Sequence, residues 1–91
     1  MNRERYAIND QETYFLSVYR EENEEFDYYS IDLENESYLI SSEQMDRLHK
    51  YIHSMFNEYT MLRDFRAYFN ELNHDDFLED LKRLKIDIQV K

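Results

Sequence analysis

Three histidines and a large excess of carboxylates are the side chains of this 91-residue sequence with the clearest capacity for chemistry. His49 and His53 stand four positions apart, a spacing that puts two imidazoles on one face of a helix and lets both reach a metal ion. Two ligands do not make a site, and the HExxH form is missing because Lys50, Tyr51 and Ile52 separate them. Both are read as structural, and no metal is expected. His74 precedes Asp75 and Asp76, a group able to exchange protons with a substrate. The same residues suit a helix start, where Asn73 caps and the acids meet the positive end of the dipole. Ser17, Ser30, Ser37, Ser41, Ser42 and Ser54 make no nucleophile elbow, since that turn needs glycine and the sequence has none.

Composition narrows the field further. Without glycine there is no phosphate-cradling loop of the GxGxxG or GxxxxGK kind and no EF-hand calcium loop. Without cysteine there are no disulfides and no thiolate ligands. Carboxylate pairs at glycosidase spacing carry no weight among 21 acids, since some pair always falls at a suitable distance. The expectation is a protein with no catalytic residues and no cofactor, not an enzyme. No segment approaches the eighteen apolar residues of a membrane span, so a cytoplasmic protein is expected.

The acids themselves are unevenly placed. From Glu21 to Asp46 there are ten of them (Glu21, Glu22, Glu24, Glu25, Asp27, Asp32, Glu34, Glu36, Glu43 and Asp46) and no Lys or Arg. The other eleven acids balance the eleven Lys and Arg, so the net charge of −10 belongs to this one segment. Phe26, Tyr28, Tyr29, Ile31, Leu33, Tyr38, Leu39 and Ile40 are interleaved with the acids, which marks a folded acidic surface rather than a disordered tail. Such a surface repels nucleic acid and speeds encounter with a basic protein.

The elements that must position these residues are those of a single α+β domain spanning 1–91. Residues 1–12 read as an irregular or briefly helical lead-in. Alternation at 14–19, 26–33 and 37–40 predicts a three-stranded antiparallel meander, with Tyr14, Leu16 and Val18 facing one way and Phe15, Ser17 and Tyr19 the other. Its turns hold Asn23 and Asn35, the expected substitutes for glycine at positive φ. Ser41 with Gln44 signals a helix over 42–58 whose face is Met45, Leu48, Ile52, Met55, Phe56 and Tyr59. The period runs on to Leu72, but one helix over 42–72 would be about 47 Å long, so a break is expected at 57–60, with Thr60 capping a second helix over 61–72. Asn73 opens a third over 75–84. Ile86, Ile88 and Val90 alternate as a short final strand over 86–90.

In that meander Asp10, Glu12, Asp32, Glu34, Asn35 and Glu36 fall at one end of the sheet. Glu21, Glu22, Glu24 and Glu25 fall at the other, with Tyr28 on the outer face between them alongside Ser17, Tyr19 and Ser30. The junction ESYLISSEQMDRLHKYIHSMFNEY, following the turn Glu34-Asn35-Glu36, resembles the small type II-A anti-CRISPR proteins, phage- and prophage-encoded inhibitors of Cas9. The element order is similar, down to a late acidic segment before a short hydrophobic helix, here Asp75 to Leu81. The resemblance covers about residues 12–58 and 75–84 of the sequence. The turn glycine of that family is absent, and Met61 to Leu72 stands as an inserted helix. The resemblance implies DNA mimicry, in which carboxylates fill the basic PAM-reading cleft of Cas9. It places the contacts at Glu34, Asn35 and Glu36, at Glu12, and at Asp75 and Asp76. The expected partner is thus a basic nucleic-acid-binding protein, Cas9 with its guide RNA, bound by a monomer with no direct contact to nucleic acid or membrane. An immunity protein or antitoxin for a basic nuclease, and a small oligomeric regulatory module, stay open as alternatives.

Overall fold

Alternating apolar and polar residues build one antiparallel sheet, and three amphipathic helices cover one of its faces. The computed structural model describes residues 2–20 and 28–90. The acids Glu21, Glu22, Glu24, Glu25 and Asp27, the turn expected at Asn23 and the strand start expected at Phe26 lie outside them. The strands are β1 (Asn2–Ala7), β2 (Tyr14–Arg20), β3 (Tyr28–Leu33), β4 (Glu36–Ser41) and β5 (Gln89–Val90), in the sheet order β1-β2-β3-β4-β5. The helices are α1 (Ser42–Phe56), α2 (Met61–Glu71) and α3 (His74–Leu84).

The expected meander is present, but it is longer than three strands. β1 pairs along its whole length with β2, from Asn2 opposite Arg20 to Ala7 opposite Phe15. Arg3, Glu4, Arg5 and Tyr6 are all exposed, so this strand has no buried face to produce a period-two hydrophobic pattern. Charged residues suit it to the edge of the sheet, where they discourage pairing with another chain. At the opposite edge β5 pairs only at Tyr38–Val90 and Leu39–Gln89. The strand expected over 86–90 is thus two residues long, because Ile86 turns into the core instead.

The core joins Leu16, Ile31, Leu33, Tyr38 and Ile40 of the sheet to Met45, Leu48 and Ile52 of α1, Phe65, Tyr68 and Phe69 of α2, and Phe77 and Leu81 of α3. Its centre is aromatic: Phe69 lies 5.0 Å from Tyr68, nearly perpendicular, and 5.3 Å from Phe77. An edge-to-face pair such as Tyr68–Phe69 adds about 0.5–1.5 kcal/mol beyond the area that it buries. Met55 and Tyr59, expected on the buried stripe of α1, are exposed, because the helix stops at Phe56 and the chain leaves the sheet there.

Helix boundaries follow side-chain chemistry. The Ser41 hydroxyl accepts the Gln44 amide at 3.3 Å, and Thr60 accepts the Arg63 amide at 3.1 Å. Asn73 and Asp76 form a reciprocal capping box, with bonds of 2.9 and 3.1 Å. The break between α1 and α2 occurs at Asn57, in the left-handed region with φ 50°. A continuous helix would overrun a molecule whose longest dimension is 37 Å. α3 ends in a Schellman motif: the Ile86 amide donates to the Leu81 carbonyl at 3.0 Å and the Lys85 amide to that of Lys82 at 3.1 Å.

Lys85 holds the left-handed position of that motif, with φ 56°, where a side chain beyond Cα costs about 1–2 kcal/mol and glycine is free of the penalty. Lys85→Gly is expected to raise the unfolding free energy by about 1 kcal/mol, read as a higher urea midpoint at unchanged slope. A lowered midpoint would mean that the lysine makes compensating contacts.

Candidate functional site

Strand register gathers the acids at one end of the sheet. Leu33 pairs with both Tyr14 and Glu36, so the Glu34-Asn35 turn lies beside the entry to β2. The β1–β2 turn lies there too, since Ala7 pairs with Phe15. Asn9, buried in that turn, organises it. Its side-chain oxygen accepts the amides of Thr13 and Tyr14 at 2.9 and 3.0 Å, and its side-chain nitrogen donates to the Thr13 hydroxyl at 2.8 Å. Glu12 and Glu34 occupy the left-handed region, with φ of 56° and 47°. The sequence reading reserved such positions for Asn or Asp, yet Asn35 is not among the residues with positive φ. Closing each turn on its strand register decides which residue takes the strain.

The helices add to the same end. The Asp10 amide donates to Asn70 Oδ1 at 2.9 Å, which brings the end of α2 against the β1–β2 turn. α3 begins here as well, because His74 Nε2 and the Tyr38 hydroxyl share a hydrogen bond of 2.6 Å. Asp10, Glu12, Glu34, Asn35, Glu36 and Asp75 are therefore exposed around one rim. Asp32 and Asp76 are less available, being half-buried. Asp32 accepts the Ser30 hydroxyl at 3.0 Å, and Asp76 is held in the capping box. The rim's negative field registers on its tyrosines. Burial, then the charge and hydrogen bond of Glu34, push the Tyr14 phenol up, and burial, then the charge of Glu36, push up Tyr38.

The outer sheet face differs from its expected character. Ser17 and Ser30, directly paired, are fully buried, and Tyr19 is nearly so. Tyr28 stacks on Tyr19 at 4.9 Å, while Arg5 lies over the Phe15 ring at 3.8 Å. Tyr28 is thus half-buried packing at the far end of the sheet from the acidic rim.

A second cluster forms between α1 and α2. His49 Nε2 lies 2.8 Å and His53 Nδ1 2.9 Å from Asp64 Oδ2, and the Glu58 amide donates to Asp64 Oδ1 at 2.8 Å. Asp64 is 1% exposed. Burial opposes its ionisation, but the Glu58 amide and both imidazoles outweigh that and hold its carboxyl below the usual range. The histidine pair was visible in the sequence and Asp64 was not. Its only signal is an acid immediately before Phe65 on an otherwise apolar helical stripe.

A third polar group ties α3 to its neighbours. The hydroxyls of Tyr68 and Tyr51 both donate to Asp80, and Arg83 pairs with the same carboxylate. Burial, then the Asp80 hydrogen bond and charge, push the Tyr68 phenol far above its ordinary value. No family model, curated protein or solved structure matches the chain.

Tyr68 carries a pH dependence whose sign is fixed. Its folded pKa is raised, so its contribution is complete below the unfolded value of about 10 and is lost as pH rises toward the folded one. The urea midpoint is expected to be level between about pH 7 and 9 and to fall above about 10. Tyr68→Phe should flatten that fall while costing about 1–2 kcal/mol at neutral pH, since Asp80 loses a donor. An equally steep alkaline fall in the variant would rule Tyr68 out as its source.

Proposed function

We propose that this chain is a non-catalytic acidic inhibitor that occupies the basic DNA-binding cleft of a nuclease in place of DNA, with the PAM-reading cleft of guide-loaded Cas9 as the leading target. The observation that carries this reading is charge segregation. The whole net charge of −10 lies in one segment, and Asp10, Glu12, Glu34, Glu36 and Asp75 are exposed at one end of the sheet. Glu12 and Glu34 sit on short turns whose backbones are tied down by the Asn9 network and the β3–β4 ladder. Carboxylates held in this way lose little side-chain and backbone freedom on meeting arginines, so more of each bond appears as affinity.

Each carboxylate facing an arginine in such a cleft gains about 1.5–3 kcal/mol through a charge-assisted hydrogen bond. The surplus negative field raises the encounter rate with a basic partner by about 10- to 1000-fold at low salt. The protein acts as a monomer in the cytoplasm of a bacterial host, touching protein and not nucleic acid. Among the described residues no helix is long and apolar enough to cross a membrane.

Reversing Glu34 and Glu36 to Lys is expected to weaken binding to guide-loaded Cas9 at least about 100-fold, from two lost bonds of that size. Both side chains are exposed and the reversal relieves like-charge repulsion, so the unfolding free energy should not fall more than about 0.5 kcal/mol below the parent. A gel shift of target DNA by Cas9, with and without the inhibitor, reads the effect. Full inhibition by the reversed variant rejects this rim as the contact surface. Failure of the parent protein to bind Cas9 or to displace DNA rejects the target.

A further inference from the structure

The histidine–aspartate cluster is independent of the acidic rim and supports a different activity. We propose that His49, His53 and Asp64 form a divalent-metal site with a preference for zinc, joining α1 to α2. His49 and His53 are one turn apart on α1, and Asp64 comes from the first turn of α2 after the reversal at Asn57. The three donor atoms, His49 Nε2, His53 Nδ1 and Asp64 Oδ2, lie within 4.8 Å of one another. Two imidazole nitrogens and one carboxylate oxygen suit zinc, whereas calcium and magnesium require oxygen-rich shells.

The surroundings are those of a supported ligand set. The Glu58 amide occupies Asp64 Oδ1 at 2.8 Å, which fixes the carboxylate and leaves Oδ2 directed at both imidazoles, as outer-shell partners of metal ligands do. One carboxylate oxygen and two imidazole nitrogens supply a mixed donor set that partly neutralises a divalent cation. His49 is 30% and His53 46% exposed at the side chain, so an ion enters from solvent and water completes its coordination. Three protein ligands with a remaining solvent position is a common arrangement for zinc.

The side chains must shift to hold an ion. The two N···O separations are now hydrogen-bond distances of 2.8 and 2.9 Å. Tetrahedral zinc with bonds of about 2.0–2.1 Å sets its donors roughly 3.4 Å apart, so each N···O separation opens by about half an ångström while the two imidazole nitrogens, now within 4.8 Å of each other, swing together. Each imidazole then presents a lone pair at the nitrogen that now faces Asp64 and carries its proton on the other. A hydrogen-bonded clasp between the helices is the competing account. It requires only donors to Asp64, which amide side chains would also supply, whereas the imidazole pair offers a metal two lone pairs.

The test uses the tag-free full chain, stripped with chelator and titrated with zinc chloride in excess magnesium to mask the exposed carboxylates. Calorimetry is expected to show one zinc per chain, cobalt substitution a tetrahedral visible spectrum, and thermal unfolding a midpoint that rises with zinc concentration. His53→Gln, at the more exposed ligand, should weaken zinc binding at least about tenfold, the lower end of what an outer-shell change alone costs. His49→Gln combined with His53→Gln should abolish both the one-to-one binding and the midpoint shift, and His74→Gln should leave them intact. The proposal is overturned if zinc does not bind stoichiometrically, or if binding survives the double variant, which would place the ion elsewhere and leave a hydrogen-bonded clasp.

Discussion

A chain with neither glycine nor proline has to reverse direction on residues that carry a Cβ, and that constraint shapes the whole molecule. Among the described residues, Glu12, Glu34, Asn57 and Lys85 enter the left-handed region. They stand at the β1–β2 turn, the β3–β4 turn, the α1–α2 break and the end of α3. At Glu12, Glu34 and Lys85 each costs about 1–2 kcal/mol, less at Asn57 because asparagine tolerates this region, against a total stability of about 5–15 kcal/mol for a domain. Hydrogen bonds offset the cost locally: the Asn9 network at the first turn, the Asn57 amide on the His53 carbonyl at 2.7 Å, and the paired Schellman bonds at Lys85. Two of the four strained positions are glutamates on the acidic rim.

The reversal at Asn57 has a second consequence. By folding α2 back beside α1, it brings Asp64 against the face of α1 that carries His49 and His53. A buried ionised carboxylate costs several kcal/mol unless it is paired and hydrogen-bonded, so this junction tolerates Asp64 only with the Glu58 amide and both imidazoles in place. The α1–α2 interface is therefore specified by polar groups at one end and by Phe65, Tyr68 and Phe69 packing along its length. Losing any one polar partner exposes the others to uncompensated burial.

How much of this was legible in the sequence depends on whether a feature is local. Ser41, Thr60 and Asn73 announce helix starts through their own side chains, and all three cap as read. The alternation in β2 declares a buried face, and Leu16 and Val18 are buried as expected, although Ser17 and Tyr19 on the opposite face are buried as well. β1 was missed because its residues bury no face and its pairing with β2 is set across the turn. The left-handed glutamates were missed because strand register, not residue preference, selects them. Asp64 was missed for the same reason: its partners lie 11 and 15 residues away and meet it only once the helix breaks. The burial of Ser17 and Ser30 likewise follows from larger neighbours across the sheet, which a strand read alone does not reveal.

Charge segregation carries an energetic implication that the fold makes sharper. Two carboxylates about 8 Å apart in high dielectric repel by roughly 0.5 kcal/mol. Several acids at one rim add terms of this kind for their nearest pairs, weakened at physiological salt, where the Debye length is about 8 Å. The segment from Glu21 to Asp46 contains no Lys or Arg to offset that cost, whereas Glu12 shares a surface hollow with Arg5, Arg63 and Arg66, which offset it in part there. On the proposed reading, a basic partner would remove the same repulsion on binding, so part of the self-repulsion held in the free protein would be released in the complex. A solvated surface serving only solubility would gain nothing from that arrangement, because the same net charge spread evenly over the molecule would keep it soluble at lower cost.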